Sequence, residues 1–457
     1  MKTKLEIPLT TSCCEPIRKP FFEEQTRQPD PSLPVAIIGA GPVGLAAAAH
    51  LAERGHPFLM FEAGSQVGHN IHQWGHVRLF SPWRYNIDKI SAKLLSRYGW
   101  SVPDKDALPL GKELVEHYLR PLADLPEIKP YLFLNTRVTA ISKQNSDKMK
   151  NAKRHQTPFV IYTENNKGQT ERHHAKAVID ATGTWGQPNP AYADQVWTKE
   201  ERSLSAHLTY GIPDISGKNE KRYRGKRIAV VGSGHSALNT LLDLAKLKES
   251  APATDIIWLM RKQQIEQAYG GEEKDALQAR GELGTRIHQL VDSGLIDVKT
   301  SCSIQELKKE NGTVTIHAQI DEQSTTVQSI DEIIVNAGSR PDFSFLRELR
   351  LSIDSVTESV EALAPLIDPN LHSCGTVRPH GELELKQPEE HFYIAGMKSY
   401  GRAPTFLMAT GYEQIRSITA YLCGDTSAAR QVELDLPETG VCRVTLPVND
   451  SQADCCR

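Results

Sequence analysis

The sequence predicts an α/β protein carrying two Rossmann-like dinucleotide-binding units, each a strand, a glycine turn and a helix. Three observations predict it. VAIIGAGPVGLAAAAHLAERG (35–55) runs from an apolar strand through a glycine turn into an apolar helix, and HPFLMFEAG follows as a second strand. RIAVVGSGHSALNTLLDLA (227–245) repeats that order and leads into DIIWLMRK (255–262). AVIDATGTWGQPN and DEIIVNAGSRPD (331–342) share a further shape, an apolar run ending in small residues and a proline turn. Consecutive βαβ units imply parallel sheets, and the recurrence implies two domains of related design.

The elements follow in order. Residues 1–33 are polar, contain proline and lack periodicity, so they read as an extension before the first strand. After the first unit, KELVEHYLRPLADL (112–125) has helical spacing. YLFLNTRVTAIS, TPFVIYTEN and AKAVIDATG read as strands, with the basic turn SDKMKNAKRHQ between the first two and a loop at GQPNP (186–190). The second unit opens at Arg227, and AYGGEEKDALQARGELG connects it to further helix and strand. A last strand, HFYIAGMKS, precedes the helix TGYEQIRSITAYLCGD, and residues 426–457 read as a polar tail.

The chemistry sits at the glycine turns. Gly39, Gly41 and Gly44 satisfy G-x-G-x-x-G, with Pro42 opening the helix. The first glycine permits the turn, the second lets backbone approach a pyrophosphate, and the third lets helix and strand pack closely. The helix N-terminus offers free N–H groups and a positive dipole end. Glu62 ends the next strand, where a carboxylate accepts hydrogen bonds from ribose hydroxyls. The second turn has Gly232, Gly234, His235, Ser236 and, in the third position, Ala237. Its following strand ends in Arg261 and Lys262 instead of an acid, which suits the 2′-phosphate of NADPH better than the free ribose of NADH. Two dinucleotides held by one chain imply electron transfer between them, and a flavin is the partner that takes a hydride and re-delivers electrons in other forms.

Composition narrows the partners. Lys plus Arg total 53 against 56 Asp plus Glu, a balance unsuited to holding nucleic acid phosphates. No apolar run is long enough to cross a bilayer, and the first residues lack a secretory pattern, so no membrane partner and a cytoplasmic location are expected. A small-molecule substrate is expected; a homodimer is left open.

On these motifs the chain resembles the two-dinucleotide-binding-domain flavoproteins, which include the flavin-containing monooxygenases and thioredoxin-reductase-like enzymes. GAGPVG with Glu62 resembles their FAD site and GSGHSA their NADPH site. The resemblance implies an FAD-binding domain over 34–223 and 336–425, with an NADPH-binding domain over 224–335 inserted into it. Thr182 and Gly183 in IDATGTWGQP, and NAGSRPD (336–342), resemble the two segments that link the domains. Gly396 lies at the corresponding strand end beside the flavin, and Thr410 and Gly411 open the helix whose N-terminus faces the flavin pyrimidine edge in the family. His207, Tyr210 and Pro213 match a His–x–x–Tyr–x–x–Pro stretch of the monooxygenases, implying that His207 and Tyr210 position the nicotinamide side. No Phe-x-Gly triplet precedes His207, and Met397 stands where many reductases of the group have Asp.

Substrate candidates come from three segments. HNIHQWGHVRLFSPWRYN (69–86) is dense in aromatic and cationic residues, among them Arg78 and Trp83. HSCGTVRPHGELEL (372–385) holds Cys374 and His380, and GMKSYGRAPTF (396–406) holds Lys398 and Arg402. Neither C-x-x-C nor C-x₄-C occurs, which argues against flavin-linked disulfide reduction. Cys13–Cys14 and Cys455–Cys456 are adjacent pairs, with Cys442 nearby, and such thiolates can bind soft ions such as mercury or trivalent arsenic. The chain also resembles flavoproteins associated with arsenic-resistance gene clusters. The expected function is an NADPH-consuming monooxygenase passing one oxygen atom from a peroxyflavin to nitrogen, sulfur or trivalent arsenic. Its rivals are a flavin reductase working through the terminal cysteines, and a non-enzymatic metal or redox sensor.

Overall fold

The computed structural model describes residues 30–275, 277–369, 377–404 and 406–434. The strands in chain order are β1 (Val35–Ile38), β2 (Phe58–Phe61), β3 (Leu132–Phe133), β4 (Thr136–Lys143), β5 (Phe159–Asn165), β6 (Thr170–Ala175), β7 (Ala177–Asp180) and β8 (Leu208–Tyr210). They continue as β9 (Arg227–Val231), β10 (Asp255–Leu259), β11 (Asp297–Lys299), β12 (Cys302–Glu310), β13 (Thr313–Ile320), β14 (Gln323–Ile330), β15 (Glu332–Val335) and β16 (Phe392–Ile394).

Two parallel sheets carry the architecture, one ordered β16-β7-β1-β2-β3 and the other β11-β10-β9-β15-β8. β1 and β7 are buried along their whole length, which is why they read as unbroken apolar runs and not as alternating ones. In each sheet the chain leaves the glycine-turn strand to one side and later returns on its other side. β1 has β2 and β7 as neighbours, and β9 has β10 and β15. The connections therefore diverge at the C-terminal ends of β1 and β9, the crevice where open α/β sheets bind ligands. The antiparallel sheets β4-β5-β6 and β12-β13-β14 accompany the first and second parallel sheet respectively.

The helix Pro42–Glu53 is buried from Val43 through Leu51, as its nearly all-apolar sequence requires. It packs on the helix Met408–Leu422, itself buried from Thr410 to Ala420, so the first and last parts of the chain share one core. The expected α/β class with two Rossmann-like units is what the fold has.

The boundary at 223/224 needs correction. β8 pairs with β15 in the second sheet, and Ala191, Tyr192, Leu204 and Leu208 pack with Ala229 and Val231. The second unit's core thus begins near residue 190, just past the proline loop. Three-residue β8 is too short to show a period, so HLTYG gave no sign of its partner sheet. The tail expected over 426–457 starts with a short helix, Thr426–Arg430, capped by Asp425. Among the described residues no helix is long and apolar enough to cross a membrane.

Candidate functional site

The first glycine turn is built by exclusion. Gly39 has φ +98°, and a Cβ there would lie 2.9 Å from the Ala181 carbonyl oxygen. A Cβ on Gly44 would lie 1.9 Å from the carbonyl oxygen of Gly39, so strand end and helix touch through bare backbone. Gly41, by contrast, faces open space, with nothing within 4 Å of a Cβ. The helix behind it begins at Pro42 with no side-chain cap and no acid in its first turn, leaving its N–H groups and dipole to a ligand. Glu62 stands opposite: its Oε2 accepts from the Ala40 amide at 2.8 Å and its Oε1 from the Gly64 amide at 2.7 Å. The side chain is thereby fixed at the strand end, where it lines the cavity.

That cavity, about 280 Å³, is lined by the glycine turn and Glu62. Trp74, Trp185, Met397, Phe406 and Met408 line it too, together with Thr182, Gly183 and Gly396. A second space of about 610 Å³ continues from it past Glu62, Thr182 and Gly183. A glycine turn before an uncapped helix, a carboxylate at the next strand end and aromatic walls make a trough whose chemistry fits FAD. Thr182 is turned by Asp180, whose Oδ1 accepts from its amide at 3.1 Å and its hydroxyl at 2.7 Å. Gly183 has φ +66° and Gly396 φ +70°, both in the left-handed region. Thr410 and Gly411 do not line the trough. Thr410 is buried, and Gly411 would carry its Cβ 2.6 Å from Val43 and 2.8 Å from Phe406. They let the helix end approach, and Phe406 and Met408 present it to the cavity.

The second turn repeats the logic. Gly232 has φ +125°, and a Cβ would meet the Asn336 carbonyl oxygen at 2.3 Å, whereas Gly234 faces open space. The helix His235–Ser250 again starts uncapped, and Ala237 fills the third position, fully buried. The turn opens into a cavity of about 510 Å³ lined by Gly232, Gly234, His235, Ser236, Arg261 and Lys262. Lys262 also donates to the Gln267 carbonyl at 2.5 Å. Cationic groups after β10 and a glycine turn after β9 suit NADPH. Met397 lines this cavity and the trough alike, so the two nucleotide spaces meet at one side chain.

Other candidates lie elsewhere. His207 precedes β8 and holds the Asp331 carbonyl through Nδ1 at 2.9 Å, at the N-terminal edge of the second sheet. Glycine turn and nucleotide cavity lie at the opposite edge, so the expected nicotinamide-side role for His207 is corrected. Tyr210 is likewise occupied: its hydroxyl donates to Glu201 Oε1 at 2.7 Å, and its ring packs on Trp197. Arg78 is exposed and donates to the Leu108 carbonyl at 2.6 Å, and Trp83 is core. Neither lines the trough or the NADPH cavity. The segment 69–86 does reach both sites through other residues. Trp74 packs near Trp185, whose indole donates to Gln73 at 2.9 Å, and Phe80 packs on His235. Arg402 is exposed at the rim of the NADPH cavity, and Lys398 is wholly buried. His380 is buried against Tyr400 and Gln414.

Cys442, Cys455 and Cys456, like Cys13, Cys14 and Cys374, lie outside the described residues. Cys302 borders the NADPH cavity, with burial pushing its thiol up to about 11, far from a reactive thiolate. Among the described residues no cluster of His, Cys, Asp or Glu could hold a metal ion. The sequence motifs did not single out Trp185, Phe406 and Met408 as cavity walls. Trp185 had left a sign, being the only large side chain among the small residues of ATGTWG.

Two glycine-turn sites opening onto one another define a flavoprotein oxidoreductase of the two-dinucleotide class. The chain belongs to the pyridine nucleotide-disulphide oxidoreductase family, whose profile matches residues 36–373. It is an NADPH-dependent flavoprotein oxidoreductase, with FAD and NADPH as cofactors. It is similar to a ferredoxin–NADP reductase of Enterococcus faecalis, 23% identical over 81% of this chain and 88% of that protein. Among solved structures it is similar to the bacillithiol disulfide reductase of Bacillus cereus. That likeness has 19% identity, a TM-score of 0.60, and covers 86% of this chain and 99% of the other. It is also similar to the FAD-bound cadaverine monooxygenase DfoA of Erwinia amylovora, with 14% identity, a TM-score of 0.58, and coverage of 91% and 99%. At such identities the structural likenesses establish the fold.

Proposed function

We propose that the protein is an NADPH-consuming monooxygenase that passes one oxygen atom of dioxygen to a soft nucleophile, a nitrogen, a sulfur or trivalent arsenic. One observation carries the reading: the trough is lined by Trp74, Trp185, Met397, Phe406 and Met408, with no cysteine among the described lining residues. A disulfide reductase needs a thiol beside its flavin, whereas an oxygenase needs a dry apolar wall that keeps water from its reactive state. When bound, FAD takes hydride from NADPH and hands the electrons onward.

The chain's own residues would divide the work. Amides after Gly41 hold the FAD pyrophosphate, and Glu62 accepts from the ribose. Arg261 and Lys262 hold the NADPH 2′-phosphate, with Arg402 at the rim. The N-terminus of Met408–Leu422 places a positive dipole end at the trough, favouring an anionic reduced flavin. Trp74 and Trp185 exclude water.

Arg261→Ala is expected to weaken NADPH binding by about 2 kcal/mol, roughly 30-fold in KM, as loss of a charge-assisted bond does. The KM for NADH should stay put; steady-state kinetics with both nucleotides checks this.

Reduction is the second reading, favoured by the paired terminal cysteines and by relatives named as reductases. The deciding experiment supplies ¹⁸O-labelled dioxygen with NADPH and a panel of amines, sulfides and trivalent arsenicals. Label in a product supports oxygenation. Turnover that needs a thiol or metal ion and leaves no label supports reduction.

A further inference from the structure

Lys398 reads from sequence as a cation for substrate, yet its side chain is fully buried. Its Nζ lies 2.6 Å from Asp180 Oδ2, 2.6 Å from the Asp342 carbonyl oxygen and 3.2 Å from Thr182 Oγ1. All three ammonium protons therefore have acceptors, and the rings of Phe343 and Phe345 close over the head group at 5.3 and 4.5 Å. Burying such a pair is a poor way to gain stability, because desolvation offsets the attraction. What the arrangement does supply is geometry.

The acceptors come from separate stretches of chain. Asp180 ends β7, and Thr182 starts the first passage between the two sheets. Asp342 ends the second passage. Lys398 itself follows Met397, the residue shared by both nucleotide cavities. The passages are also tied to each other: Asn189 N donates to Gly338 O, Arg340 N to Gln187 O, and Ser339 Oγ to Thr184 Oγ1, each at 2.9 Å. These bonds tie the passages into a pair, and Lys398 joins that pair to the turn carrying Met397.

We propose that Lys398 is a positioning residue that sets how the NADPH cavity faces the flavin trough. The proposal rests on hydride passing from NADPH to FAD and is independent of what the flavin then does. The test uses the double substitution Lys398→Met with Asp180→Asn in the full-length, FAD-loaded protein. The second change removes the charge that would be stranded, while the carboxamide oxygen it introduces can still accept from Thr182. FAD content, the Kd for FAD and the Kd for NADP⁺ are expected to match the parent. The rate of flavin bleaching on anaerobic mixing with NADPH is expected to fall about 100-fold, as a small misplacement of reacting groups produces. Visible circular dichroism of the bound flavin should change with it. A parental bleaching rate overturns the proposal. Loss of FAD binding overturns it as well, since the clamp would then serve cofactor retention.

Discussion

Gly44→Ala is expected to give a colourless protein that takes up no FAD. The added Cβ would stand 1.9 Å from the Gly39 carbonyl oxygen, a backbone atom at the end of the central strand. No rotamer can relieve that overlap, because the methyl group has none. Either the helix Pro42–Glu53 lifts off β1 or the turn deforms, and both widen the cradle that would grip the pyrophosphate. Overpacking of a fixed core costs about 3 kcal/mol, and here it falls on a helix buried through nine consecutive residues. Gly41→Ala is the control. Its Cβ would meet no protein atom within 4 Å, so the fold should persist and the FAD-free variant should unfold at the Tm of the FAD-free parent. The methyl would instead occupy the space through which backbone approaches the ligand, and FAD affinity alone should fall. Bound-flavin absorbance and thermal unfolding of the two variants together separate the packing role from the binding role.

The second large effect belongs to Gly232→Ala. Its φ of +125° is strained for any L-residue, and the Cβ would sit 2.3 Å from the Asn336 carbonyl oxygen. Strain of about 3 kcal/mol at this turn corresponds to about a 100-fold loss of NADPH affinity. The first sheet and its turn are untouched, so the variant should purify yellow. Dithionite should bleach it at once, and NADPH only at about 100-fold higher concentration than the parent needs. A variant that loses colour would show that the two units do not carry their cofactors separately.

How far the sequence revealed this arrangement depends on the kind of signal. The two strand–glycine–helix units were legible because close helix–strand packing leaves room for no side chain at Gly44 and for only the smallest at Ala237. The parallel runs AVIDATG and EIIVNAG were legible because strands buried on both faces cannot alternate. β8 was not, since three residues show no period and pairing is decided by a distant strand. β6, TERHHA, is mostly exposed and polar, and nothing in its composition marks a strand.

At the site, spacing found the cradles but could not find their walls. His207 shows why: a motif fixes distance along the chain, whereas the direction of a parallel strand decides which edge of the sheet receives the residue. Lys398 shows the converse. A lysine's composition signals solvent, and only the convergence of Asp180, Thr182 and Asp342 makes burial tolerable. Met397 was marked in the sequence only as a departure from the aspartate of many reductases, because its place between two cavities depends on segments far apart in sequence.

If the two nucleotide sites meet within one chain, electrons pass between them without a second protein molecule. Anaerobic mixing of the FAD-loaded protein with NADPH, followed by flavin absorbance, reads that transfer. NADPH is expected to bleach the bound flavin in a reaction saturable in NADPH and independent of protein concentration. A flavin that stays oxidised under excess NADPH, yet is bleached by dithionite, would contradict it.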